Sequence, residues 1–547
     1  MNILFVLYGD LTSNSANPLA LYAREFARAG HSCVVAIPGN LESISEHANA
    51  AFHAVLYGDV LRQPGAVFPN GLPADVIHAW TPRENIRQFI AAYMAILPTP
   101  WVIYLEDHEA WIASRALALD DTALAQQTEQ NLAERLPSAL SHPFLYRDFI
   151  GLADAAVTIQ GKLGVDVPAW VPCTTVLPGV DLDFFLPRAA DPTLRARYGL
   201  ADNQRAIVYP GGVNGFTRPG IETLCRAVGL INSQGYPCKL LRTGPFPLEF
   251  LDELPPQAKD AVVDLGVVPR ADLPDLLALA DVFVQPGKPD PFEDLRLPGK
   301  LPELLAMGRP VITPNTNIAH LFEDGVDAIL THTGTAEEIA AKCIALFTNK
   351  HNAMQVGKAG RQLAEEHFDI KRQAARMLGV YRLACAQFDR SIASAVWQHA
   401  PETASVDLLL AKKLKLMADI PGNRSGLDGN ALLQEHARLI EAKRLRVNGL
   451  ERALSERVGQ IIRVHEWLDE RDAHIANLQQ EVAHRDGHIT NLQQEVAQRD
   501  GHIAKLQQAM TASEVSNETA RKEIDAIRQS ASWKLTLPLR WLGQWFH

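Results

Sequence analysis

Residues 285–314, QPGKPDPFEDLRLPGKLPELLAMGRPVITP, decide how the first two-thirds of the chain is read. The stretch opens where a short apolar run, residues 282–284, stops at Pro and Gly, the pattern of a buried strand meeting its loop. A loop rich in Gly and Pro follows. A helix then begins near Leu301 and Pro302, and a second strand occupies residues 310–313. Pro302 suits the first helical turn, where its missing N–H is not needed. Gly308 suits the C-terminal stop. A helix N-terminus delivered to the carboxyl end of a strand attracts anions, because unpaired N–H groups and the helix dipole point outward there. Lys300 adds positive charge to that place. Glu303, in the first turn, can complement the dipole or reach a sugar hydroxyl pair.

The same grammar extends toward the N-terminus. Residues 3–8 form a continuous apolar run, which predicts a strand buried on both faces. After a polar loop, residues 18–29 repeat apolar side chains at helical spacing, Gly30-His31 stops that helix, and residues 33–37 predict the next strand. Further strands are predicted at 75–80 and 101–105, the latter ending in Glu106-Asp107-His108-Glu109. A second series starts at Arg205, with strands at 206–209 and 239–241. The Gly-rich loop Pro210-Gly-Gly-Val-Asn214-Gly-Phe-Thr-Arg218-Pro-Gly220 between them opens a helix from about Ile221. Helices follow at 336–347, 352–367 and 368–388. Two such alternating series predict two doubly wound parallel sheets.

Composition agrees. Of 547 residues, 47% are hydrophobic and 21% charged, which suits packed α/β domains, and the length allows three or four of them. A net charge of −11 argues against a nucleic-acid partner. The six cysteines are scattered, with no Cys-x-x-Cys pair, and read mostly as small buried hydrophobes in a reducing compartment. The start, MNILFVLYGD, lacks the basic flank and apolar length of a signal peptide, and no stretch approaches the ~20 apolar residues of a membrane span. The expected location is cytoplasmic, at the inner face of the cell membrane.

The run Glu303-Leu-Leu-Ala-Met-Gly308-Arg-Pro310-Val-Ile resembles the nucleotide-sugar signature of retaining glycosyltransferases of family 4, which have the GT-B fold. The resemblance spans about residues 1–388 and is strongest over 282–314 and 351–382. It implies an enzyme that moves a sugar, with retention, from a nucleoside-diphosphate sugar, and it implies site residues. Glu303 would bind the donor ribose, and Lys300 and Arg218 the diphosphate. Gly212 and Asn214 of the Gly-rich loop would contact the donor. Leu295 stands where the family has another glutamate, so Glu293 is the nearby donor-side carboxylate. His108 is the nearest match to the family histidine beneath the donor sugar, with Glu106 as the alternative and an ordinary loop histidine as the bland reading. Leu177-Pro-Gly-Val-Asp181-Leu-Asp183-Phe-Phe-Leu-Pro187 resembles the lead into the interdomain linker. Its Asp-x-Asp pair is read as linker and not as a metal site, so neither metal nor other cofactor is expected.

Past Arg390 the grammar changes. A linker is expected at 389–430. Then Leu433, Ile440, Val447, Leu454, Ile461, Leu468, Ile475, Val482, Ile489, Val496, Ile503 and Met510 recur every seven residues, with Leu450, Arg457, Val464, Arg471, Leu478, Arg485, Leu492, Arg499 and Leu506 as the partner seam. That persistence predicts a coiled coil over 431–512, and hence a homo-oligomer. Residues 513–547 end in Ser-Trp533-Lys-Leu-Thr-Leu-Pro538-Leu-Arg-Trp541-Leu-Gly-Gln-Trp545-Phe546-His547, similar to tails found after coiled coils in bacterial surface-polysaccharide enzymes. Aromatic residues beside basic ones on one short helix suit a membrane surface, with a protein dock as the rival. The expected architecture is two Rossmann-like domains, 1–188 and 189–388, a linker, a coiled coil and an interfacial tail. The expected acceptor is a growing surface glycan such as O-antigen or capsule, or its lipid-linked form. A sugar-nucleotide epimerase and an inactive scaffold acting through the coiled coil are the alternatives.

Overall fold

Strands with no polar face must be covered on both sides, and the computed structural model places them in two such sheets. It describes residues 1–547 apart from 48–49, 126–131, 133–134, 246, 248, 399–405, 419–428 and 531–547. The first sheet comprises β1 (Asn2–Leu7), β2 (Ser32–Ile37), β3 (His53–Leu56), β4 (Val76–Trp80), β5 (Trp101–Leu105), β6 (Ala155–Thr158) and β7 (Cys173–Thr175). Its order is β3-β2-β1-β4-β5-β6-β7, with every pairing parallel. The second comprises β8 (Arg205–Pro210), β9 (Cys238–Thr243), β10 (Val262–Asp264), β11 (Val282–Val284), β12 (Val311–Pro314) and β13 (Ile329–Thr331), in the order β10-β9-β8-β11-β12-β13, also all parallel. In each sheet the order reverses beside its first strand, so ligand crevices are expected between β1 and β4 and between β8 and β11.

The helices that position the site are α1 (Ala16–Arg28), α2 (Glu109–Ala116), α3 (Tyr146–Leu152), α4 (Arg218–Ser233), α5 (Leu301–Ala306), α6 (Ala336–Thr348) and α7 (Ile370–Gln387). Helix α4 starts three residues earlier than its apolar pattern suggests. The Asn214 side chain accepts from the N–H groups of Phe216 and Thr217, each at 3.0 Å, and turns the loop tightly into the helix. Gly308 has φ +67°, and a Cβ there would approach Pro187 Cγ to 2.9 Å. Its glycine identity is therefore set by backbone and packing together. Four of the six cysteines are buried, and all six are free.

The chain passes between the sheets twice. On the way out, Val180 N donates to Phe368 O (2.7 Å); on the way back, Ile370 N donates to Val180 O (3.1 Å). Helix α7 then packs on α1, β5 and β6 of the first sheet. Its Tyr381 is fully buried there, with its hydroxyl 2.6 Å from Nδ1 of His78 on β4.

Residues 389–430 are not simply a linker. Helices α8 (Arg390–Trp397) and α9 (Val406–Ala418) complete the first lobe. Val396, Trp397, Leu409, Leu410 and Leu414 are buried. Leu410 fills the space over Gly151 of α3, and Lys413 Nζ donates to the carbonyls of Leu152 (2.7 Å) and Ala153 (3.0 Å), capping the end of that helix.

The chain forms two compact units, residues 1–433 and 434–547. The second unit is dominated by α10 (Gly429–Gln529), a helix of 101 residues. Ile475, Leu478, Val482, Ile489, Leu492, Val496, Ile503, Leu506 and Met510 lie exposed along it. Trp533 and the rest of the C-terminal aromatic segment lie outside the described residues.

Burial of five large apolar side chains is worth about 1.5–3 kcal/mol each before ordering costs. A chain ended at residue 388 is therefore expected to melt on the order of 10 °C below one ended at residue 430. Equal melting temperatures in differential scanning calorimetry would show that α8 and α9 are dispensable.

Candidate active site

The strand ends at the first switch point present a small polar cluster. Glu106, just past β5, receives hydrogen bonds from Trp80 Nε1 to Oε1 and from Ser15 Oγ to Oε2, both at 2.7 Å. It thereby ties together the loops after β1, β4 and β5. Burial, with the neighbouring Asp107 carboxylate adding to it, pushes its pKa up to about 7. The hydrogen bonds from Ser15 and Trp80 and the Arg83 charge only partly oppose that rise. Thr81, next to Trp80, is buried with φ +80°, a strained backbone for a β-branched residue. Arg83 lies 4.1 Å from the Tyr8 ring centroid and 3.4 Å from the buried Glu109 carboxylate.

At the second switch point, backbone comes unusually close to backbone. A Cβ on Gly244 would lie 2.7 Å from Gly212 N, so the loops after β8 and β9 meet because residue 244 is glycine, and a Cβ on Gly212 would crowd Pro245 Cδ at 3.1 Å. Lys300 precedes α5. Its ammonium lies 2.9 Å from the Tyr209 hydroxyl and 4.1 Å from that ring's centroid, and it covers Gly211, where a Cβ would collide with Nζ. Glu303 Oε1 accepts from Arg270 at 2.9 Å.

A cavity of about 740 Å³ opens between the two sets of strand ends. From the first lobe, α2 contributes Trp111 and Arg115; from the second come Tyr209, the segment Gly215–Thr217, one face of α4 and the loop after β11. Trp111 and Phe292 stack across it with ring centroids 3.6 Å apart and 20° between planes, and Phe216 flanks both. The β11 loop is also held from the first lobe by Lys162, which pairs with Asp294, and by Gln160, which donates to Asp294 O at 3.1 Å.

The residues singled out in the sequence are distributed unevenly around this cavity. Glu293 lines it, largely buried, 3.2 Å from Arg296. Its pKa is raised by burial, with Arg296 acting the other way. Lys300 adjoins the cavity through Tyr209. Gly212 and Asn214 shape the loop whose next residues line it. Arg218 is already paired in this structure. It opens α4, its guanidinium meets Glu222 (3.0 Å) and Glu253, and it is not part of the cavity wall. His108 caps α2, its Nδ1 accepting from Trp111 N at 3.3 Å, which assigns it a part in holding Trp111 in place. Sequence reasoning missed Trp111, Phe292, Tyr209, Arg115 and Arg226. The one available signal was aromatic residues within otherwise polar loops. Among the described residues no group of three or more His, Cys, Asp or Glu is placed to hold a metal ion.

Residues 204–349, from the start of the second sheet to the end of α6, match the family model described as Glycosyl transferases group 1. No curated protein matches the chain. Among solved structures, HepE from Anabaena in complex with UDP is 16% identical, with a TM-score of 0.50, covering 69% of this chain and 99% of its own. Sucrose-phosphate synthase from Thermosynechococcus elongatus is 14% identical, with a TM-score of 0.52, covering 71% and 100%. WaaG, a glycosyltransferase involved in lipopolysaccharide biosynthesis, is 15% identical, with a TM-score of 0.50, covering 69% and 99%. The fold is GT-B. With the family match over the domain that carries Lys300 and Glu303, the class is a glycosyltransferase.

The raised pKa of Glu106 carries a stability consequence. Between about pH 4.5 and 7 the folded state holds this proton and the unfolded state does not, so stability falls as pH rises through that window and levels off above it. Glu106→Gln is expected to remove that part of the pH dependence, on the order of 1–3 kcal/mol between pH 4.5 and 7.5. An unchanged slope in urea unfolding at several pH values would contradict it.

Proposed function

We propose that the protein transfers a sugar from a nucleoside-diphosphate sugar to a growing surface glycan, with retention at the anomeric carbon. The observation that carries this reading is the Lys300 ammonium, held on Tyr209 over the glycine backbone at the mouth of the interdomain cavity. The departing diphosphate gathers negative charge as the glycosidic bond to it breaks. A preorganised cation beside close-approaching backbone N–H groups stabilises that charge without reorganising. Glu303, on α5, binds the ribose hydroxyls, with Arg270 fixing its carboxylate. Glu293 faces the donor sugar. Arg218 acts by fixing the first turn of α4. No side chain is assigned as a covalent nucleophile, and no metal ion is required, so activity is expected to survive EDTA. HepE with bound UDP or UDP-glucose, and WaaG with its role in lipopolysaccharide, support a nucleotide-sugar donor and a glycan acceptor.

The long helix supplies the assembly. Its apolar heptad positions lie open to solvent along α10, and association of identical helices through them buries that stripe. The C-terminal segment, with Trp541, Leu542, Trp545 and Phe546 on one face, is assigned to an anionic membrane surface. No helix among the described residues is long and apolar enough to cross a membrane. The chain ended at residue 430 is expected to sediment as a monomer and the full chain as an oligomer.

Two observations favour a second reading, a scaffold without catalysis: Leu295 stands where the family this chain resembles has a carboxylate, and Arg218 is paired with two glutamates. Glu303→Gln separates the two. A lost charged hydrogen bond of about 1.5–3 kcal/mol lowers donor affinity roughly ten- to a hundredfold in calorimetry while leaving the melting temperature in place. Unchanged affinity removes the ribose assignment.

A further inference from the structure

The cavity wall carries more positive charge than the donor reading uses. Pro219, Glu222, Thr223 and Arg226 recur at helical spacing on one face of α4, so Arg226 points the same way as the lining residues before it. Arg115 comes from α2, its guanidinium 5.0 Å from the Trp111 ring centroid, and Lys288 from the β11 loop. The three carboxylates of the wall are already engaged. Glu222 pairs with Arg218, Glu293 with Arg296, and Asp290 accepts from the N–H groups of Phe292 (2.9 Å) and Glu293 (2.8 Å). Among the described residues no carboxylate pairs with Arg115, Arg226 or Lys288. Lys300, Glu303 and Arg218 are not among the residues that line the cavity. Its cations are thus distinct from Lys300 and Arg218, while Glu293, assigned to the donor sugar, lines the same cavity and places the two sugars side by side.

Beside these cations lies an aromatic cluster. Trp111 and Phe292 lie face to face, with Arg115 over the Trp111 ring and Arg296 over the Phe292 ring, so the stack and the neighbouring Phe216 offer apolar ring edges against which a pyranose can pack. A volume of about 740 Å³ accommodates more than one sugar ring. We propose that this cavity is the acceptor subsite and that it selects a sugar bearing an anionic group, either a uronate carboxylate or a phosphate ester. The sugar ring packs against the edges of the Trp111–Phe292 stack and Phe216, and Arg115, Arg226 and Lys288 neutralise the anion. Guanidinium forks suit both anions, since carboxylate and phosphate present paired acceptor oxygens. The proposal rests on reading the interdomain cleft as the place of transfer.

The test uses the full-length protein and three probes titrated by ligand-observed NMR: methyl β-glucuronoside, glucose 6-phosphate and neutral methyl β-glucoside. UDP binding is measured alongside by calorimetry. At least one anionic probe is expected to bind about tenfold or more tightly than the glucoside, the better of the two naming the anion. Arg226→Gln with Lys288→Gln, both at exposed positions and so compatible with folding, is expected to abolish that preference while UDP affinity changes less than twofold. Equal binding of the neutral glucoside overturns the proposal. So does an equal loss of UDP affinity in the double variant, which would make these cations part of the donor site. If UDP fails to bind the unaltered protein while the anionic preference still depends on Arg226 and Lys288, the anion site stands and the transfer reading falls.

Discussion

The two crossings of the chain between its lobes are hydrogen-bonded to each other, and the geometry of the cleft depends on that contact. Val180 exchanges backbone hydrogen bonds with Phe368 and Ile370, and Gly179 lies so close that a Cβ would meet Ile370 Cα at 2.9 Å. Arg361 reinforces the crossing by donating to the carbonyls of Phe185 (2.6 Å), Leu182 (3.3 Å) and Ala306 (2.8 Å), joining it to the end of α5. The helix that carries Glu303 and follows Lys300 is therefore tied to the same point at which the lobes are joined. Any relative motion of the lobes moves that helix against the first-lobe strand ends.

From this constraint follows the division of the cleft. The second lobe presents close backbone at Gly211 and Gly212 and the Lys300 ammonium, the place to which the proposed transfer assigns the charge of the departing diphosphate. The first lobe presents Glu106, held between Ser15 and Trp80, and the Trp111 face that His108 positions from the helix cap. The loop after β11 belongs to the second lobe but is gripped from the first, through Trp111 on Phe292 and Lys162 on Asp294. The position of that loop, and of the Glu293 carboxylate on it, is thus set from both lobes.

The sequence made the parallel strands legible because a strand covered on both faces has no polar position to disguise it. Residues 101–105 were bounded to the residue, and β12 was displaced by one only because pairing begins at the Pro310 carbonyl, which accepts from Phe283 N at 2.9 Å. Short edge strands such as β7 and β10, at three residues each, carry too little pattern to stand out. The helices at 390–397 and 406–418 were hidden for a different reason: their burial depends on pockets, such as the one over Gly151, that exist only in the folded lobe. Site residues followed the same rule. The placement of Lys300 and Glu303 at the start of α5 was visible because local helix grammar sets it. Arg218 looked like a phosphate ligand because its partners Glu222 and Glu253 are, in the second case, 35 residues away. Trp111 and Phe292, on different lobes, come together only in the tertiary fold, which no local pattern encodes.

The central claim is that charge developing on a departing nucleoside diphosphate is stabilised at Lys300. It is tested most directly by measuring nucleoside-diphosphate release from a panel of nucleotide sugars, with water or a short glycan as acceptor, for the unaltered protein and for Lys300→Ala. The account predicts that at least one donor turns over and that the rate falls on the order of a hundredfold or more in the variant, the scale for loss of one preorganised charge-stabilising group. Equal rates for the two proteins, or no release from any nucleotide sugar by the unaltered protein, would contradict it.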